Sequence, residues 1–368
     1  MRVPVSVFNT LHYDIVAGGH TFPAGKEIVV QMERSSVAFR EVRTTSGLRI
    51  NRHNNDRFGL EHGYKWNMVH DAHIAGAAYH SDGRYRRAIE ALAGPIIKNL
   101  PGAGYTQRPT HGWNVRFFNS HRIKQMGKTP LGPQDIFYSH GIGDKDYWTG
   151  PKIADFRFAM VPGPAWEQRM RATGYKGEIF IVGYTKLDPL FNGDYKRQQR
   201  GKPYVVWAPT HGYNNKHKGR SSYPQCCDHI HEIPERFDKH LALHPTSKIN
   251  LKQKNDVTLQ ELLDADVVIA DAGSTIYEAW ALGKPVVFPD WLCKADVLAR
   301  FRPGNLEYEI YSRGIGYHAK DMRHLVKLLD VAIAKGMQPA AQEFMERIFP
   351  TDLRGKAGAT AAKVLQSL

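Results

Sequence analysis

Asp264-Ala265-Asp266-Val267-Val268-Ile269-Ala270-Asp271-Ala272-Gly273-Ser274-Thr275-Ile276-Tyr277-Glu278-Ala279 is the stretch that decides how this chain folds. Its apolar run reads as a buried strand ending at Asp271, Gly273 allows a tight turn, and Ile276 to Leu282 reads as a helix closed by Gly283. Ser274 and Thr275 then stand where that helix begins. Free N–H groups and the positive end of the helix dipole converge there, an arrangement that binds phosphate. Glu278 falls one turn into the helix, where a carboxylate can accept hydrogen bonds from ribose hydroxyls. An ordinary helix cap would explain Ser274 or Thr275 alone, but not Gly273, Glu278 and Gly283-Lys284-Pro285 together.

Around this stretch the same pattern repeats. Tyr204 to Ala208 reads as a strand ended by Pro209, Leu241 to Leu243 as another, and Pro285 to Pro289 as a fourth, so the second half is a βαβ series with its ligands at the carboxyl ends of the strands. The stretch between Tyr195 and Cys227 carries Lys and Arg but no Asp or Glu. It leaves the end of a strand at Thr210-His211, the two residues within it favoured for donor binding. From about 50 to 190, helix-like stretches such as Gly83 to Leu92 alternate with short apolar strands, Asp135 to Tyr138 and Glu178 to Val182, which again predicts a parallel α/β layer. Short strands punctuated by turns fill the first 50 residues. The expected organisation is a β appendage over 1–50, a Rossmann-like acceptor-side domain over 51–192, a nucleotide-donor domain over 193–345 and a C-terminal helix over 346–368. The polar segment from Phe191 to Pro203 is the expected linker.

Composition sets the class of partner. The formal charge of +14 is spread over both halves and favours an anionic partner, whether nucleotide phosphates, nucleic acid or an acidic membrane surface touched peripherally. With 42% hydrophobic and 23% charged residues the chain has the balance of a globular protein. No apolar run is long enough to span a bilayer and the N-terminus has no apolar signal core, so a cytoplasmic location is expected. Cys226, Cys227 and Cys293 make neither a disulfide framework nor a cysteine zinc site. His70-x-x-His73, on a possible helix with His80 beyond it, and Asp228-His229-Ile230-His231-Glu232, alternating like a strand, are the histidine groups to weigh as ligands. Neither is a full set at recognised spacing, so no metal and no cofactor are expected beyond a nucleotide-activated substrate.

Several segments resemble, in order, the CDP-glycerol glycerophosphotransferases of teichoic acid synthesis: Ser139-His140-Gly141, Gly183-Tyr184-Thr185-Lys186-Leu187-Asp188, Ala208-Pro209-Thr210, Leu243-His244-Pro245 and Asp256 to Thr275. The likeness runs from about Asp135 to about Ala334. It implies a GT-B fold, two Rossmann-like domains facing a cleft, and transfer of glycerol phosphate from CDP-glycerol to a polymer hydroxyl. The family usually has Asp-Tyr-Ser-Ser where this chain has Asp271-Ala272-Gly273-Ser274-Thr275, and Asp where it has Glu278. Those differences lean toward nucleotide-sugar enzymes, including UDP-GlcNAc 2-epimerases, so the expected donor is CDP- or UDP-linked.

The resemblance gives His140 a functional counterpart and places Gly141 at the donor. A neutral imidazole at His140, entering the cleft from the first domain, would take the proton of an attacking acceptor hydroxyl. His244, facing it from the second domain, would stabilise the charge left on the departing nucleotide. The alternative is a bacteriophage-type glycosyltransferase acting on a hydroxymethylated base in DNA. The charge and the aromatic and basic mixture at Tyr64-Lys65-Trp66 and Trp113 to Phe118 speak for it, and such a base would have to be flipped out.

Overall fold

The computed structural model describes residues 83–106, 112–118, 131–146, 150–210, 221–244 and 259–368, and the backbone course of seven short strands before residue 76. Six of those strands fall in the first 51 residues. β1 (Val3–Phe8) and β4 (Ile28–Met32) pair antiparallel, while β2 (Ile15–Ala17), β3 (His20–Phe22), β5 (Glu41–Thr44) and β6 (Arg49–Asn51) form a four-stranded antiparallel sheet.

The rest is built on two parallel sheets. The first has the order β12-β11-β10-β9-β7-β8, from β7 (Ala72–Ala75), β8 (Gly104–Thr106), β9 (Trp113–Arg116), β10 (Asp135–Tyr138), β11 (Phe158–Val161) and β12 (Glu178–Ile181). The second has the order β14-β13-β15-β16-β17, from β13 (Tyr204–Ala208), β14 (Asp238–Leu241), β15 (Val267–Ala270), β16 (Val286–Pro289) and β17 (Tyr317–Ala319). Every residue of β10, β11, β13, β15 and β16 is buried, which is why these strands read as unbroken apolar runs: helices cover both faces of a parallel sheet. One polar exception holds the first sheet together. Arg116 on β9 reaches back to Asp135 on β10, with Nε to Oδ1 at 3.0 Å and Nη2 to Oδ2 at 3.1 Å, both side chains only 1% exposed.

Eight helices matter for the site: α1 (Gly83–Asn99), α2 (Pro164–Ala172), α3 (Ser274–Ala281), α4 (Asp290–Arg300), α5 (Leu306–Arg313), α6 (Met322–Lys335), α7 (Pro339–Ile348) and α8 (Ala357–Ser367). The chain does not end in its second half. α7 packs on both α2 and α3, and α8 returns to α1. A Cβ at Gly358 would stand 2.5 Å from the Pro95 carbonyl oxygen, so α8 meets α1 backbone to backbone. Asp188 receives this return, accepting the N–H groups of Ala357 at 3.2 Å and Gly358 at 2.7 Å.

Several sequence expectations move. The strand expected at 241–243 ends at Leu241, because the pairing with β13 begins at Asp238. Asp228 to Glu232 is no strand: Cys226–His229 is an α-helical turn continued by a 3-10 turn over Ile230–Glu232. His73 belongs to β7 rather than to a helix, while His70 and His80 lie outside the described residues. The single C-terminal helix expected over 346–368 is instead the end of α7, a 3-10 turn at Thr351–Leu353, and α8. Cys226, Cys227 and Cys293 are free thiols. No helix among the described residues is long and apolar enough to cross a membrane.

Candidate functional site

In the second sheet the chain steps outward from β13 to β14, then crosses back to β15 on the other side. That reversal leaves a crevice between the carboxyl ends of β13 and β15. Asp271, the residue after β15, closes its floor. The carboxylate is fully buried and accepts hydrogen bonds from the N–H groups of Thr210 (2.7 Å), Ser222 (2.6 Å) and Ala272 (2.7 Å), and from the hydroxyls of Ser222 (2.9 Å) and Ser221 (3.3 Å). Burial pushes its pKa up and these donors hold it down. Asp271 therefore braces the site: it fastens Thr210 and Ser221-Ser222, the two ends of the basic loop. His211, predicted at the donor, falls within 211–220, outside the described residues.

Gly273 sits at φ +90°, the left-handed region open to glycine, and sends its N–H to Glu307 Oε1 at 3.0 Å. A Cβ there would stand 2.8 Å from Lys145 Cε and Nζ, so the flexible end of that lysine would have to shift. α3 begins at the next residue, with Ser274 and Thr275 half-buried at its N-terminus and Ile276 through Ala281 all buried between the sheet and α7. Glu278 is 3% exposed, and its Oε1 accepts from Lys186 Nζ at 2.8 Å and from the Tyr184 hydroxyl at 3.2 Å. Both partners come from the first half of the chain, so the carboxylate expected at the ribose also ties the two halves together.

The loop after β10 supplies the opposite wall. His140 is half-buried, its ring tilted 31° against Phe118 with centroids 4.9 Å apart and its Nδ1 3.2 Å from the Phe117 carbonyl oxygen. A carbonyl can only accept, so Nδ1 carries a proton. Gly141 and Gly143 lie directly on the start of α3. A Cβ at Gly141 would meet Ser274 Oγ at 2.7 Å, one at Gly143 would meet the Gly273 backbone at 2.7 Å, and the Gly143 N–H donates to Ser274 Oγ at 3.3 Å. His244 is half-buried three residues beyond β14.

Four residues that sequence reading gave no role complete the wall. Asp144 is fully buried. Its Oδ2 accepts from the N–H of Leu306, at the start of α5, at 3.0 Å and from Arg169 Nε at 2.9 Å. Asn305 caps α5 through Oδ1, which accepts from the N–H groups of Glu307 and Tyr308, and its Nδ2 donates to the Asp144 carbonyl at 3.0 Å. Lys145 Nζ donates to Thr210 Oγ1 at 2.5 Å. Glu307 is fully buried, and Oε2 has no hydrogen-bond partner among the described residues. The one visible signal was Asn305 before an acidic first helical turn. Nothing local marked its encounter with Asp144, 161 residues away.

Burial pushes the Glu307 carboxyl up to about 8, against the pull of Lys145 and the Gly273 N–H and with Asp144 and Asp271 adding to the rise. In the unfolded chain this group releases its proton near the ordinary 4.5, so between those two values the folded state holds a proton that the unfolded state has lost. Stability should therefore fall as pH rises from about 5 to about 8 and level off above. Denaturant unfolding of the wild type and Glu307→Gln across this range checks it: the mutant should show a flatter profile, and parallel profiles would rule Glu307 out as the cause.

Two parallel α/β halves, with a C-terminal helix that crosses back to the first, make this a GT-B fold. Its fold is similar to that of the wall teichoic acid polymerase TagF, with a TM-score of 0.53 and 15% sequence identity over 82% of this chain and 89% of that one. A histidine-to-asparagine variant of TagF soaked with CDPG aligns as well, with TM-score 0.53 and 14% identity over 82% and 90%. The UDP-GlcNAc 2-epimerase from Methanocaldococcus jannaschii aligns at TM-score 0.40 and 14% identity, over 76% and 96%. The sequence matches no protein-family model and no curated protein.

Proposed function

We propose that this chain is a transferase that moves a glycosyl or glycerophosphoryl group from a CDP- or UDP-linked donor to an acceptor hydroxyl. One observation carries the reading. The N-terminus of α3, with Ser274, Thr275, Thr210 and Lys145 around it, lies against the loop that carries His140, whose Nδ1 meets the Phe117 carbonyl and whose Nε2 would serve as the base. The TagF variant soaked with CDPG has the same fold, which agrees with a nucleotide at this crevice.

In the reaction, His140 Nε2 takes the proton of the acceptor hydroxyl as its oxygen attacks. With a glycerophosphoryl donor the new bond forms at phosphorus and the bond to the nucleotide phosphate breaks. With a sugar donor the attack is at the anomeric carbon. Either way the leaving phosphate keeps the electron pair, and the N–H groups and hydroxyls of Ser274 and Thr275, with His244, stabilise its charge. The acceptor, a teichoic-type polymer or another hydroxyl-bearing polyanion, approaches from the first domain.

Calorimetric titration with CDP and UDP, followed by transfer assays with CDP-glycerol and UDP-sugars, tests the reading. Glu278→Ala should weaken nucleotide binding by about 1.5–3 kcal/mol through loss of charged hydrogen bonds to the ribose. A melting curve taken alongside accounts for the lost pairing with Lys186 and Tyr184. Unchanged nucleotide affinity in a folded mutant would remove Glu278 from the donor site, and a wild type that binds neither nucleotide would end the transferase reading.

A further inference from the structure

Glu278 is 3% exposed, and the chain uses its two carboxylate oxygens unequally. Oε1 accepts from Lys186 Nζ at 2.8 Å and from the Tyr184 hydroxyl at 3.2 Å, while Oε2 takes no donor among the described residues. A carboxylate drawn out of water is costly unless a cation and hydrogen bonds go with it. Lys186 supplies the cation. The Tyr184 hydroxyl is buried, and burial followed by the Glu278 charge raises its pKa well above the ordinary value, so it remains a donor.

Both donors stand on a segment that the first domain holds in place. The Tyr138 hydroxyl donates to the Gly183 carbonyl at 2.9 Å and accepts the Thr185 N–H at 3.0 Å. Thr185 Oγ1 donates to the Leu92 carbonyl of α1 at 2.6 Å, and Asp188 is tied to the start of α8. Gly183, at φ +90°, packs so closely that a Cβ would stand 2.8 Å from the Ala357 Cβ. The backbone beneath Tyr184 and Lys186 is thereby fixed, and with it the oxygen of Glu278 that they occupy.

We propose that Lys186 and Tyr184 are positioning residues of the donor site: reaching over from the first domain they occupy Oε1 of Glu278, which leaves Oε2 to accept the ribose hydroxyls of the donor. Ribose is then recognised only while the two domains are docked, because Glu278 parted from these residues loses its counter-charge and its orientation together. This rests on the transferase reading above and on Glu278 as the ribose carboxylate. Neither Lys186 nor Tyr184 touches the nucleotide; both act through Glu278, as supporting side chains hold the groups that bind a ligand.

The test is calorimetry on the full chain, comparing CDP and UDP with their 2′,3′-dideoxy analogues and with pyrophosphate. The wild type should prefer the ribonucleotides by about 10- to 100-fold, the scale of hydrogen bonds to a charged group. In Lys186→Met that preference should shrink to about threefold or less, with the dideoxy analogues and pyrophosphate bound as before. Tyr184→Phe removes one hydroxyl and should reduce the preference about 2- to 10-fold. A purely structural role would weaken every probe alike; that result would overturn the assignment, as would an undiminished ribose preference in the folded mutants. Lys186→Met leaves a buried carboxylate without its cation, so if a melting curve shows it unfolded, Tyr184→Phe carries the same comparison alone. A wild type that binds CDP and dideoxy-CDP equally would remove the ribose from Glu278, and one that binds no nucleotide would end the transferase reading. The proposal falls in both cases, whereas its failure alone appears as a wild type that discriminates and mutants that discriminate as well.

Discussion

His140→Ala should lower turnover with the nucleotide donor by roughly 10²–10⁴-fold, the usual scale for loss of a general base, and leave nucleotide affinity nearly unchanged. The reason is positional. His140 follows β10 in the first domain and packs against Phe118, whereas the proposed nucleotide site lies at β13, β15 and α3 in the second. The bond from Nδ1 to the Phe117 carbonyl fixes the tautomer, so an isosteric His140→Asn, which keeps a donor but has no titratable nitrogen, should be about as inactive as alanine. His244→Ala should reduce both turnover and affinity, because its proposed partner is the phosphate already present in the bound donor. Single-turnover rates and calorimetry on the two mutants separate these outcomes. Near-normal turnover in His140→Ala, or equal loss of affinity in both, would sink this division of roles.

Asp271→Ala should cost about 3–5 kcal/mol of stability and abolish nucleotide binding with it. Removing the carboxylate leaves the buried N–H groups of Thr210 and Ser222 and the hydroxyl of Ser222 without their acceptor, and orphaned donors of this kind each cost about 1–3 kcal/mol. Water does not readily replace it, because Asp271 and Ser222 are both 0% exposed. The loss would spread beyond the single side chain, since Thr210 is also the partner of Lys145 and Asp271 leads directly into Gly273. Asp271→Asn keeps one acceptor oxygen but turns an NH2 group toward other donors, so an intermediate loss is expected. Urea denaturation measures both. A change below about 1 kcal/mol in Asp271→Ala would mean the loop ends are held by something other than this carboxylate.

The second half was legible because its signals are local. β13, β15 and β16 announce themselves as short apolar runs, α3 by Gly273 before it and Gly283 after it, and the position of Ser274 and Thr275 at a helix start follows from adjacent residues. The same adjacency placed His140 at the end of β10. Where the local signal was weak the reading slipped: β14 was misplaced because Leu241 to Leu243 is more apolar than the Asp238–Leu241 segment that pairs with β13. Asp271 shows the limit within one residue. Its sequence position put it at the donor, but which atoms its oxygens serve depends on where Ser221 and Ser222 return.

By itself, then, the sequence determined the α/β class, the order of most second-half strands and the helix start at Ser274, because propensity, burial pattern and turn chemistry act between near neighbours. The tertiary structure alone decided that Lys186 and Tyr184 meet Glu278, that Asp144 and Asn305 clip the domains together, and that Lys145 and Glu307 converge on Gly273. These contacts join residues about 30 to 160 positions apart, and the helices that meet in them, α3 and α5, are set by packing against α7 and α4. Such pairings carry no periodicity: each depends on the relative placement of two sheets, which only the completed core fixes.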